Sequence, residues 1–318
     1  MINSMLRRFR WQGVVVLLLS STMGIGGSSA DVVVAYPDLS GPYQAVFEQI
    51  IKGVEETYSG GVTRMPMSAD DPASLDNAKQ ALARHPDAAI VLGRTAFELI
   101  EPIHGSVPLV TGAVLAPPSV AGGMATGISL VPDPELLFQH LGRMVPAVTR
   151  VHVVVDRVRL AWLINHAETV AEQYQITLEV HDVSDLSDAA LTYRGLLDSI
   201  DSHGGAIWLL AGSGVLDNQT VLPLVLRKAW ARNLVVFSSS LAHVNRGALF
   251  ALYPDHHALG VSLVELMQTR LDNPGQASTG LLPLRDLRLA VNSRTANHLR
   301  LSIDFESVSR QGLVFPRQ

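Results

Sequence analysis

Residues 125–156, ATGISLVPDPELLFQHLGRMVPAVTRVHVVVD, carry the reading that decides the fold. A short β-rich run, Ala125–Leu130, is flanked by Gly122, Gly123 and Gly127 and gives way to Asp133-Pro134-Glu135. That triplet starts a helix: a capping carboxylate, a proline at the first helical position, an acid in the first turn. The helix predicted from it runs Pro134–Met144, and the aliphatic run Val151–Asp156 follows. Such an unbroken run marks a strand covered on both faces, as in parallel sheets.

The same alternation extends in both directions. Before the glycines lie the strand-like runs Val32–Tyr36, Ala88–Gly93 and Pro108–Thr111, with helical periods at Tyr43–Tyr58 and Ser74–Arg84. After Asp156 come strands at Ala206–Ala211 and Leu234–Ser238, with helices at Trp162–Tyr174, Ala189–Ile200 and Val221–Ala231. Strand-helix alternation predicts an α/β fold with right-handed crossovers. The glycine seam divides it into two series of about five strands each. The expected architecture is therefore two doubly wound parallel-sheet lobes. A strand at Ala248–Tyr253, a helix over Asp255–Asp272 and a strand at Leu287–Val291 are surplus to a simple second lobe. Asp272–Gly275 and Gly280–Pro283 read as an exposed turn region.

The first thirty residues have the layout of an export leader. Arg7, Arg8 and Arg10 precede the apolar run Val14–Leu19, and Ser28-Ser29-Ala30 offers a cleavage site. The run is too short to span a membrane as a helix. The expected signal peptide is 1–30, with the mature chain starting at Asp31. Three of the 24 basic residues and none of the 29 acidic ones lie in the leader, so the remainder carries a net charge of −8. That balance argues against a nucleic-acid surface. Apolar residues make up 47% and charged residues 17%, enough to build a large core rather than a disordered chain. Cysteine is absent, which removes disulfides, thiolate metal sites and a lipidated anchor together. The expected location is the periplasm, in soluble form and not as a lipoprotein.

Four stretches in register resemble the periplasmic substrate-binding proteins of ABC importers, in the family with the type I two-lobed fold that includes tryptophan- and tyrosine-type uptake proteins. They are Val107–Leu130, with Ala113-Val114, Pro117 and Ala125-Thr126-Gly127-Ile128-Ser129; Pro134–Asp156, with Pro146 and Arg150-Val151; Gly247–Gly260, with Tyr253-Pro254-Asp255; and Leu289-Ala290-Val291-Asn292 with Thr295-Ala296. The family's acidic residue in the first turn is missing, since Ala113–Pro118 reads AVLAPP. The resemblance implies three crossovers between lobes, near Ser129, Leu252 and Gly280. The N-terminal lobe would then be 31–129 plus 253–280, and the C-terminal lobe 130–252 plus 281–318. It also implies a small-molecule ligand, an ABC permease in the inner membrane as partner, no cofactor and a monomer.

Ligands of open parallel sheets sit beyond the carboxyl ends of the strands, which singles out the loops there. Tyr36 and Tyr43 bracket Pro37-Asp38-Leu39-Ser40-Gly41-Pro42, and offer an aromatic wall and the Ser40 hydroxyl, or merely a strand-to-helix turn with Ser40 as a cap. Arg94 and Thr95 open a helix after a buried strand and suit a carboxylate, or are a solvated arginine and a cap. Asp156 and Trp162 flank the matching loop of the second lobe. Ser213 and Asp217 lie in a glycine loop, and Ser239 in a serine run. Asp255 ends a strand at a crossover, as a ligand partner, a helix cap or both. Ser213 lacks the Gly-x-Ser-x-Gly elbow of a hydrolase nucleophile, so no catalytic residue is expected. His256-His257 point in different directions on a helix, so no metal site is expected there. The function these features predict is non-enzymatic capture of a small organic solute, an amino acid or related metabolite, for an ABC importer. A ligand sensor reporting to a membrane receptor keeps the same fold and remains the alternative.

Overall fold

The aliphatic runs become the central strands of two sheets, in a computed structural model that describes residues 31–115, 119–120, 123–124, 126–210, 212–273 and 280–316. The leader, the turn at Pro117, Gly122, Ala211 of the glycine loop and the turn at Pro274-Gly275 lie outside the described residues. The first half runs β1 (Asp31–Pro37), α1 (Pro42–Thr57), β2 (Gly61–Met67), α2 (Pro72–Leu82), β3 (Ala88–Leu92), α3 (Arg94–Ile100), β4 (Leu109–Val114), a small antiparallel pair β5 (Ser119–Val120) and β6 (Gly123–Met124), and β7 (Gly127–Pro132). The second runs α4 (Pro134–Met144), β8 (Arg150–Val155), α5 (Arg157–Gln173), β9 (Thr177–Asp182), α6 (Leu186–Ser199), β10 (Gly205–Leu209), α7 (Val221–Ala231), β11 (Val235–Ser238), α8 (Leu241–Arg246) and β12 (Phe250–Pro254). The chain closes with α9 (His256–Asp272), β13 (Leu281–Leu284), β14 (Leu287–Asn292), α10 (Ser293–His298), α11 (Phe305–Gln311) and β15 (Leu313–Phe315).

The first sheet has the order β13-β7-β4-β3-β1-β2, parallel throughout. Period-2 alternation sends Val32 and Val34 to one side, against Ile50 and Ile51 of α1 and Leu259 and Leu263 of α9. Val33 and Ala35 go to the other, against Leu82, Phe97 and Ile100 of α2 and α3. Helices α1 and α9 touch backbone to backbone. A Cβ on Gly53 would lie 2.1 Å from the His257 carbonyl oxygen, and one on Gly260 2.1 Å from that of Ile50. The surplus helix after Asp255 thus belongs to the first lobe.

The second sheet has the order β15-β14-β12-β11-β10-β8-β9. It departs from the all-parallel expectation at β12 and β14, which pair antiparallel. Its core is aromatic at the centre: Trp208 stacks over Phe237, Phe237 over Phe250, and Phe138 of α4 meets Trp208 edge-on. All four rings are buried. Among the described residues no helix is long and apolar enough to cross a membrane.

The chain passes between the sheets at Asp133, at Asp255 and at Arg285-Asp286. These points fall a few residues beyond the expected Ser129, Leu252 and Gly280. The cause is that β7 and β13 pair in parallel up to Pro132 and Leu284, which keeps both strands in the first sheet to their ends. Side chains lock the crossings. The buried Asp133 carboxylate accepts the Glu135 N–H (2.9 Å) and meets Arg285 (2.5 Å) and His166 (3.0 Å). Asp255 caps α9 through the Ala258 N–H (3.2 Å) and pairs with Arg288 (3.1 Å).

Candidate functional site

In each sheet the strands end on a row of loops, and the loops after β4 and β10 meet. A Cβ on Gly212 would lie 3.6 Å from Leu115 Cδ1. The carboxyl edges of the two sheets therefore face each other across a cleft, where ligands of such sheets sit.

On the first lobe's rim, α1 and α3 begin without side-chain caps. Their N-terminal flanking residues are glycines in a backbone region open to glycine alone: Gly41 at φ 73°, ψ −144°, and Gly93 at φ 78°, ψ 161°. The two loops are neighbours, since a Cβ on Gly93 would stand 3.2 Å from Pro37. No side chain caps the sixteen-residue α1; Pro42 has no N–H to give and the Gln44 N–H meets the Gly41 carbonyl at 3.2 Å, so a ligand would draw on the remaining donors of its first turn. Ser40 and Thr95 are exposed beside these glycines. Arg94 is exposed as well and pairs with Glu98 at 3.6 Å, one helical turn on. Tyr36 is only partly exposed at the end of β1. It follows Val32 and Val34 onto the face packed by α1, and burial, then Glu48, hold its phenol above the usual range.

On the second lobe's rim most of the polar side chains already have partners. Asp156 caps α5, accepting the Arg159 N–H at 3.3 Å. Asp217 accepts the N–H groups of Gln219, Thr220 and Val221 and the Thr220 hydroxyl (2.6 Å). The Thr220 hydrogen bond, followed by that of Val221, lowers its pKa. Ser239 accepts the indole N–H of Trp208 at 3.0 Å. Ser238 donates to the Leu209 carbonyl (3.0 Å) and sits 2.7 Å from Nδ1 of His243. Ser213 is buried between Gly212 and Gly214, both at φ 77°. Trp162 packs half-buried against the second lobe's core, and its indole N–H is buried without a partner among the described residues. Asp255, expected in the cleft, is drawn into the crossover cap and its ion pair with Arg288.

The structure thus brings Ser40, Arg94 and Thr95 to one rim and Asp156, Ser213, Asp217 and Ser239 to the other. Two residues join them that sequence reasoning did not single out. Leu115 makes the contact across the cleft and is nearly half exposed. Arg159 lies over Gly214, whose Cβ would be 3.3 Å from Nη1, and forms no ion pair among the described residues. Its neighbour Arg157 is held by Glu168 at 2.9 Å. In the run Asp156-Arg157-Val158-Arg159 the two arginines look alike; only the tertiary structure separates the one paired with Glu168 from the one with no ion pair among the described residues.

No protein-family model and no curated protein sequence matches the chain. Solved structures do match in fold. An ABC domain in complex with L-Trp from Streptococcus pneumonia is 20% identical with TM-score 0.51, covering 91% of this chain and 100% of its own. A conserved domain protein from Vibrio cholerae is 19% identical with TM-score 0.51, over 90% and 99%. A ligand-free, open substrate-binding protein with adhesive properties from Clostridium difficile is 12% identical with TM-score 0.62, over 91% and 100%. The chain has the two-lobed α/β fold of type I periplasmic binding proteins.

Proposed function

We propose that this protein is an exported solute-binding protein of the periplasm. It takes a small organic molecule, an amino acid or related metabolite, between its lobes and hands it to an ABC permease. The observation that carries the reading is the pairing of rims: glycine-led helices without side-chain caps on one side, and on the other a glycine loop under an arginine that makes no ion pair among the described residues. A carboxylate suits both, through backbone donors and through a guanidinium. Of the fold neighbours, one is described as an ABC domain in complex with L-Trp and another as a substrate-binding protein, which supports the reading.

The one hydroxyl–imidazole pair described at the rim, Ser238 with His243, is buried, and its hydroxyl donates to the Leu209 carbonyl, so we read the site as one of binding without turnover. A thermal-shift panel of the amino acids and their keto and hydroxy acid relatives tests it. A ligand at a hundred times its dissociation constant stabilises by about 2.7 kcal/mol, which raises the melting temperature by roughly 5 °C. A flat response across the whole panel would overturn this choice of ligand class.

A further inference from the structure

Away from the cleft, the parallel pair β8 and β9 brings three metal-ligating side chains to one point. The register sets His152 opposite Glu179 and Val154 opposite His181. Residues 152, 179 and 181 therefore share the face that α6 covers. His152 Nδ1 lies 3.2 Å from His181 Nε2 and 3.3 Å from Glu179 Oε2, and one donor atom from each residue falls within 4.8 Å of the others. Donors bound tetrahedrally at zinc distances are separated by about 3.3 Å. Two of the spacings seen match that separation, and the third lies within reach of it at no more than 4.8 Å.

The surroundings support the same chemistry. His152 is buried while Glu179 and His181 are partly open, so the point is rigid on one side and reachable on the other. It opens on a hollow of about 420 Å³, walled by Ser199, Asp201 and Gly204 among others, with room for a water as fourth ligand. Arg150 holds the other carboxylate oxygen of Glu179 at 3.2 Å and orients it, as outer-shell partners do. Arg150 also brings positive charge, which works against a cation.

We propose that His152, Glu179 and His181 bind one divalent transition-metal ion, zinc by the character of the donors, with water completing the site. The ion would staple the edge strand β9 to β8. Two imidazoles and a carboxylate suit zinc better than calcium or magnesium, which take oxygen donors. The expectation of no metal rested on residues adjacent in the chain, such as His256-His257; these ligands come from two strands.

Tag-free full-length protein, stripped with EDTA, is titrated with Zn²⁺ by calorimetry and with Co²⁺ by visible absorption. One equivalent should bind, with the absorption of tetrahedral cobalt and a rise in melting temperature that EDTA reverses. His181→Gln should weaken zinc binding by at least about 100-fold, more than loss of an outer-shell partner does. Glu179→Gln keeps the side chain's shape and should weaken it too, which serves if His181→Gln does not fold. His257→Gln, at a histidine paired with Glu56, should leave binding unchanged. Absence of stoichiometric binding, or binding that survives in both Glu179→Gln and His181→Gln, would overturn the proposal.

Discussion

The two rims of the cleft are built from the same strand-loop-helix unit and finished in opposite ways. On the first lobe the loops end in Gly41 and Gly93, and the helices they lead keep their N–H groups unclaimed by side chains. On the second, Asp156, Asp217, Ser238 and Ser239 meet backbone or side-chain partners of their own lobe. A polar group already satisfied has little to gain from a ligand, whereas an open donor has a full hydrogen bond to gain. On the proposed function, the difference puts binding chiefly on the first rim and stability chiefly on the second. Substitutions on the two should then separate along those lines, and the sizes below are in unfolding free energy.

The largest effect belongs to His243, beneath the second rim. Burial, with Arg246 adding to it, pushes its pKa down to about 4. The unfolded chain takes up a proton near the ordinary histidine value, about 6.5, before the folded one does. Stability is therefore whole above that value and falls as pH drops toward 4, by up to about 3 kcal/mol from this residue. Urea unfolding at pH 7 and pH 4.5 should show that loss, and His243→Gln should reduce it. An equal slope in the variant would remove His243 from the account.

Next is Gly93→Ala, on the open rim. Its backbone lies in the glycine-only region, and a Cβ would meet Pro37 at 3.2 Å and Phe47 at 3.4 Å. Strain of this kind costs about 2 kcal/mol. The variant should also bind the strongest amino acid of the thermal-shift panel more weakly, because the first turn of α3 must move. Unchanged affinity would break the link between this glycine and the ligand.

What the sequence made legible follows from burial. Central strands covered on both faces, such as β1, β3, β8 and β10, are written in unbroken aliphatics and fall where the runs predict. Edge strands are not. Gly61–Met67 reads GVTRMPM and Thr177–Asp182 reads TLEVHD, and neither carries a continuous apolar run. Missing β9 hid the histidine cluster, whose members stand 29 residues apart and become neighbours only through the strand register. Helix α5 begins at Arg157 and not at Trp162, because an irregular Leu160 interrupts its apolar period. Among site residues, Asp156, Asp217 and Asp255 were visible as acids ahead of helices. Whether such an acid caps its own helix or reaches a ligand is decided by side-chain direction, and here all three cap.

Asp217→Ala is the third test, on the closed rim. The loss is that of a helix cap, about 1 kcal/mol, and it should be present at neutral pH. Because its hydrogen bonds lower the Asp217 pKa, that stabilisation exists above the unfolded value and fades as pH falls through the folded one. Wild type and variant should converge in acid. Affinity for the panel's best amino acid should stay the same, in contrast to Gly93→Ala.

Arg159→Ala should have the smallest effect on stability and thereby sharpens the contrast most. The side chain is exposed, lies over Gly214 and makes no ion pair among the described residues, so its removal should change stability by less than about 0.5 kcal/mol. It is nonetheless the exception among the charged groups named on its rim, with no ion pair among the described residues. If the guanidinium closes on a ligand carboxylate from the side opposite the α1 N-terminus, the variant should bind the best amino acid about tenfold more weakly. The matching amide should lose less, because only the carboxylate forms a charge-assisted pair. Added salt should shrink the gap between wild type and variant, since a partly exposed pair is screened. Equal losses for acid and amide would mean that Arg159 shapes the loop without touching charge, and would leave recognition to the glycine-led helices alone.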